Sequence, residues 1–120
     1  MSKIDIDFKL ISSEDKIQTK ISGIFNSNRI VYIDNDVKTT IILDEEVIMK
    51  REGKDYILNF IFSKDKKTFG SYELTSYKVS IPLEIDTKEL LIKDNYLKIE
   101  YHLCIDQEDK GIYKLELNYK

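Results

Sequence analysis

Apolar residues recur at every second position along most of this chain, which is the periodicity of a β-strand with one buried face. The pattern is most regular in residues 97–105 and 113–119, and residues 4–10 show it near the N-terminus. Shorter segments with the same alternation cover residues 17–25, 29–33, 37–43, 47–50, 56–62, 68–74 and 77–85. The sequence therefore predicts about nine or ten short strands.

Two residues and one segment depart from the regular strand pattern. Gly23 lies inside an alternating segment and predicts a sharp bend or bulge, and Pro82, which cannot donate to a ladder, predicts a bulge or a sheet edge. Residues 87–94 fit either a strand or a short helix capped by Thr87, and the β-rich composition favours the strand.

The connections between these segments are nearly all of hairpin length, and turn residues recur every 8–12 residues, a spacing typical of a sandwich or a barrel. Short connections favour an up-and-down meander, and a meander of this many twisted strands closes to remove its edges. We expect a single all-β domain over residues 1–120, folded as an antiparallel meander-type β-barrel of about 8–10 strands.

Composition supports the all-β prediction. The chain has no alanine, the best helix former, and 29 of its 120 residues are isoleucine, valine or threonine. It also contains 13 aromatic residues, none of them tryptophan, to fill a core.

The charge pattern argues against nucleic-acid binding. Nineteen basic and 22 acidic residues give a net charge of −3, and the two signs alternate along the chain. Only two of the basic residues are arginine. The densest basic segments, Lys50-Arg51 with Lys54 and residues 64–67, are interpreted as solvated hairpin ends.

The chain has one cysteine, Cys104, so no intrachain disulfide can form. No segment has the composition of a signal peptide or a membrane-spanning helix. We therefore expect a cytoplasmic protein that does not bind membranes.

The sequence resembles the YwiB-like family, small bacterial proteins of unknown function with a calycin-like β-barrel. The residues that carry the resemblance are segments 17–23 and 47–51, the region 72–87, and the closing strand 97–103. Lys78 and Pro82 stand where the resemblance implies a glycine-containing turn. The resemblance implies a calycin-like or lipocalin-like barrel, and it implies no reaction, because none of these motifs names a catalytic residue.

His102 and Cys104 are the residues best suited to chemistry. They share one strand face with Glu100 and Asp106. Side chains two positions apart on a strand are about 6.5–7 Å apart, which is long for two ligands of one zinc ion. No second histidine or cysteine exists, and a flat strand face offers no oxyanion hole. We expect no metal, no cofactor and no catalytic residue, and hence no enzyme.

The barrel interior is the remaining candidate site. Phe60 and Tyr101 lie at mid-strand on the inward phase, where they either fill the core or line a ligand cavity. The first functional hypothesis is therefore non-enzymatic binding of an apolar or amphipathic small molecule. The alternative is a protein-interaction or assembly module, with the doubly apolar strand 56–62 as its contact surface. Whether the protein is a monomer or a homodimer stays open.

Overall fold

The computed structural model describes all of residues 1–120 and contains ten β-strands and no helix. The strands are β1 (Ser2–Ile11), β2 (Lys16–Asn26), β3 (Arg29–Asp34), β4 (Val37–Leu43), β5 (Val47–Glu52), β6 (Tyr56–Phe62), β7 (Lys67–Leu74), β8 (Val79–Lys93), β9 (Tyr96–Ile105) and β10 (Glu108–Tyr119). None of its elements is a helix long and apolar enough to cross a membrane. The all-β prediction is confirmed.

Each strand pairs antiparallel with the next one in the sequence, and β1 pairs with β10 to close the barrel. This is the predicted meander. Four of its hairpins have two-residue turns, and in two of them, Asn35-Asp36 and Asp106-Gln107, both residues have positive φ. Such turns match the right-handed twist of the flanking strands. The two-residue β9–β10 turn is therefore shorter than the connection over residues 107–111 that the sequence pattern indicated.

The ambiguous segment 87–94 is a strand, and it continues the preceding segment as the 15-residue β8. The register of β8 against β9 shifts between Thr87 and Glu89, so the bulge lies here and not at Pro82. Pro82 pairs with Ser71 of β7 and lies one residue beyond the last β8–β9 pair, Leu83 with Ile105. The proline therefore removes no hydrogen bond from the β8–β9 ladder, which agrees with the predicted edge position.

Glycine is required at two positions by close packing and not by a bulge. Gly23 pairs in register with Ile4 and Tyr32, and a Cβ there would lie 2.8 Å from the carbonyl oxygen of Val31. Gly70 of β7 lies against the carbonyl oxygen of Asn59, so a Cβ would overlap the β6 backbone. The turn where the family resemblance implies glycine instead holds Lys78 at a φ of 54°.

The side chains that point into the barrel form the core. Alternate residues of nearly every strand contribute, and β9 is the best example, with four successive inward side chains buried. The buried apolar residues form one cluster: Ile4, Ile6, Ile30, Tyr32, Ile41, Val47, Met49, Phe60, Phe62, Leu83, Ile85, Leu97, Ile99, Tyr101, Leu103, Leu115, Leu117 and Tyr119.

We predict that Gly70→Ala destabilises the protein by about 1–3 kcal/mol, because the new methyl group overlaps backbone atoms of β6 that cannot move alone. Chemical denaturation measures the change. Ser80→Ala, at an exposed position of β8, is the control and should leave the free energy of unfolding nearly unchanged. Equal stability of the two variants would contradict the close approach of β7 to β6.

Candidate open-end site

Inward side chains near both ends of the barrel are only partly buried, and at the end that holds the termini these include Phe25, Leu43 and Leu90. The other end carries the turns at residues 12–15, 35–36, 53–55, 75–78 and 106–107, and we call it the open end. Near these turns the inward side chains are only partly buried: Phe8, Leu10, Thr19, Asp34, Arg51, Leu58, Tyr72, Ile81 and Tyr113. Solvent therefore reaches the upper part of the lumen at the open end.

Phe60 and Tyr101 lie below this region, where they form part of a packed aromatic floor. Phe60 is 8% exposed and stacks parallel on Phe62, with ring centroids 5.7 Å apart. Tyr101 is 4% exposed, and its ring lies 4.9 Å from that of Phe62 and 5.6 Å from that of Tyr113. The structure thus places both predicted lumen residues inside the barrel and in mutual contact. Whether either touches a ligand stays a prediction.

Arg51 is the charged residue that the sequence interpretation missed. It lies on the inward phase of β5, after Val47 and Met49, and pairs with Thr39 and Leu58. Its Nε atom is shielded from solvent and has no hydrogen-bond partner, and the residue forms no salt bridge with any carboxylate. The predicted solvated surface for Lys50-Arg51 is therefore wrong for Arg51, whose side chain enters the lumen because strand residues alternate in direction.

The phenols around Arg51 show its electrostatic influence. Burial raises the pKa of Tyr32, and the nearby Thr39 hydroxyl and Arg51 guanidinium act in the opposite direction. Burial raises the pKa of Tyr101 strongly, whereas Arg51 again lowers it. Both phenols therefore lie within electrostatic range of the guanidinium.

Two fully buried hydroxyls add to the unsatisfied polar groups of the lumen. Thr39 lies directly across from Arg51 in the β4–β5 pair, and Thr87 lies across from Tyr101 in the β8–β9 pair. Neither Oγ1 atom has a partner at hydrogen-bonding distance and angle, although the Thr39 hydroxyl lies near enough to the Tyr32 phenol to lower its pKa. Because buried polar groups are nearly always paired in native proteins, three orphaned atoms inside one barrel call for an explanation.

Three concavities lie elsewhere on the surface, and neither Phe60 nor Tyr101 lines any of them. The largest, about 850 Å³, is a groove beside β1, β2 and β10 that is lined mainly by polar residues of both charge signs. A second, about 690 Å³, lies at the end of the barrel that holds both termini, where Phe25 stacks on Tyr119. None of the three residues with a buried, unpaired polar atom lines either of these two concavities.

His102 and Cys104 meet a partner that the sequence interpretation did not identify. The register of β10 shifts between Asp109 and Gly111, and Asp109 pairs across from Cys104. Asp109 Oδ1 lies 2.7 Å from His102 Nε2 and accepts a hydrogen bond from the Gly111 amide. These two interactions hold the pKa of the exposed Asp109 below its usual value. Ligand atoms of His102, Cys104 and Asp109 lie within 4.8 Å of one another.

The expected neighbours Glu100 and Asp106 do not belong to this cluster. Glu100 pairs with Lys114, and Asp106 forms the β9–β10 turn. The sequence did not reveal Asp109 because its position depends on a bulge, and a glycine at 111, with a φ of 88°, is the one local signal for it.

The outer face of β6 was the predicted contact surface. Ile61 there forms a cross-strand row with Ile48 of β5 and Ile42 of β4, and Ile48 is 41% exposed. Asn59 interrupts the apolar surface, and its amide donates to Ser71 and Glu73 of β7. The strand is apolar on both faces only at its two ends.

We predict that Phe60→Ala lowers the free energy of unfolding by about 3–5 kcal/mol, because it removes a buried ring that packs on both Phe62 and Tyr101. Denaturant titration measures the loss. Phe69→Ala is the control, since Phe69 is 66% exposed and should cost far less. A loss below about 2 kcal/mol for Phe60→Ala would show that the floor already contains empty space.

We also predict less than one zinc ion per chain in protein purified without chelators. A metal would have to break the His102–Asp109 hydrogen bond and compete for the Oδ1 atom that Gly111 already holds, and only three protein ligands are at hand. Elemental analysis measures the metal content. Tight one-to-one zinc that is lost in His102→Ala would overturn this prediction.

Comparison with known proteins agrees with the fold. Residues 3–117 match the family model of the domain of unknown function DUF1934. The crystal structure of the ywiB protein from Bacillus subtilis is similar over 98% of this chain and 89% of that one, with a TM-score of 0.62 and 14% sequence identity. No curated protein matches the sequence. The YwiB-like resemblance and the barrel are thereby confirmed, and the chain belongs to the DUF1934 family of domains of unknown function.

Proposed function

We propose that this barrel binds an amphipathic small molecule at its open end and performs no catalysis. The observation that supports the proposal is an arginine in the lumen without a counter-ion, above an aromatic floor and within a ring of partly exposed apolar side chains. Ligand sites are commonly concave and apolar, with a few polar groups that orient the ligand.

The ring of partly exposed apolar side chains supports binding of the apolar part of an amphipathic ligand. Phe8, Leu10, Leu58, Tyr72 and Tyr113 pack against the core on one side and contact solvent on the other. Covering such surface releases about 25 cal/mol for each Å² removed from water. An apolar chain inserted here would therefore gain free energy without displacing the Phe60–Phe62–Tyr101 floor.

The expected location is the cytoplasm, where reduced thiols persist. This proposal rests on the single Cys104, which is free and partly buried.

The proposal predicts that the protein binds Nile red, a neutral apolar dye, with a rise in fluorescence. Leu58→Gln should weaken this binding because Leu58 points into the open end. Ile57→Gln is the matched control, because Ile57 is the preceding residue of β6 and faces outward. Circular dichroism confirms that both variants are folded. Dye binding that is absent in the parent, or equally weakened in both variants, would contradict binding at the open end.

The second candidate is a protein-interaction module. The isoleucine row Ile42, Ile48 and Ile61 supports it, because three adjacent apolar side chains share the outer sheet face. Sedimentation of the parent and of Ile48→Lys tests whether this face associates. A monomeric parent that releases no protein partner on native mass spectrometry would remove this candidate, whereas a dimer lost in Ile48→Lys would support it.

A further inference from the structure

Arg51 combines three properties that surface arginines lack. Its side chain enters the lumen, its Nε atom is buried without a hydrogen-bond partner, and no carboxylate forms an ion pair with it. By contrast Lys50, the preceding residue, faces outward and is exposed. Arg51 as a whole is partly buried, and a shielded polar atom of a charged group normally has a partner, because desolvation penalises a group that lacks one.

No carboxylate of the barrel forms a direct ion pair with Arg51, although Asp34 acts on the same Tyr32 phenol as Arg51 does. Among the inward-phase residues of β3, β4, β5 and β6, Asp34 is the one acid, and it forms no ion pair with Arg51. The groups beside it are hydroxyls: Thr39 lies directly across the β4–β5 ladder, and the Arg51 charge lowers the pKa of the Tyr32 and Tyr101 phenols. Each of these hydroxyls can donate a hydrogen bond to an anion.

We infer that the open-end site takes an amphipathic carboxylate, with its headgroup on Arg51 and its apolar tail toward the partly exposed ring. This inference rests on the function proposed above. The planar guanidinium presents parallel N–H groups that match the two oxygens of a carboxylate. A single cation balances one negative charge, so a monoanion fits the site better than a phosphate dianion does. The unpaired Thr39 hydroxyl, directly across the β4–β5 pair from Arg51, supplies a further hydrogen-bond donor.

The test compares dodecanoate with dodecanol, two ligands that share a tail and differ in the headgroup charge. Displacement of Nile red gives both affinities. The parent should bind dodecanoate about tenfold or more tightly than dodecanol, in line with the strength of charge-assisted hydrogen bonds. Arg51→Gln should lose that preference and retain its affinity for dodecanol. Lys50→Gln removes the same charge from the outer face of the same strand, and it should behave as the parent does.

The outcomes separate this inference from the function it rests on. A parent that binds both ligands equally, or an Arg51→Gln variant that keeps the preference for dodecanoate, overturns the carboxylate assignment and leaves open-end binding intact. A parent that binds neither ligand nor the dye overturns both.

Stability in the absence of ligand gives an independent readout. If Arg51 serves to bind a ligand, Arg51→Met should fold with a melting temperature equal to or above that of the parent, because it removes a shielded Nε donor that has no hydrogen-bond partner. Added dodecanoate should raise the melting temperature of the parent more than that of Arg51→Met, whereas dodecanol should raise both by similar amounts. If Arg51→Met, Arg51→Gln and Arg51→Lys all fail to fold, Arg51 is structural and the inference is wrong.

Discussion

Pairing between β1 and β10 closes the sheet, and every other feature of this molecule depends on that closure. Once the barrel is closed, alternate residues of all ten strands project into one enclosed space. About eight strands leave an interior that side chains just fill, so ten strands leave more room than aliphatic side chains occupy. The aromatic floor of Phe60, Phe62 and Tyr101 fills the middle of that space, with Tyr113 at its upper margin. Above it the inward side chains are only partly buried.

Arg51 lies where the inward side chains of β5 change from fully to partly buried. A hydrophobic residue at this position would continue the sequence of inward side chains that Val47 and Met49 begin, and it would leave no unpaired donor. Natural proteins commonly accept such a cost at a functional site. The His102–Asp109 pair has no comparable cost, because the histidine and the carboxylate satisfy each other on the outer surface. This contrast makes the lumen the stronger candidate site.

Much of the fold could be predicted from the sequence because each strand carries its own period-2 signal. Strand identity, the meander and the closure all follow from that periodicity and from short connections. The bulges in β8 and β10 could not be predicted, since a one-residue shift in register depends on both partner strands. Asp109 was missed for that reason.

The candidate site was predicted only in part. Phe60 and Tyr101 were placed correctly inside the barrel, because they share the phase of their buried neighbours. Arg51 shares the phase of Val47 and Met49 in the same way, yet its charge and its place beside Lys50 favoured a solvated position. The alternation of side-chain direction along the strand indicated the position of Arg51 better than its charge did. The absence of an ion pair could be recognised only from the positions of the neighbouring strands.

The most direct test of open-end binding is a map of backbone and methyl chemical shifts by nuclear magnetic resonance during titration with dodecanoate. Binding at the open end predicts shifts concentrated at Phe8, Leu10, Leu58, Tyr72 and Arg51, with little change at Phe25 and Ile92 near the termini. Shifts centred on the concavity beside Phe25 and Ile92, or on the outer isoleucine row, would contradict the account.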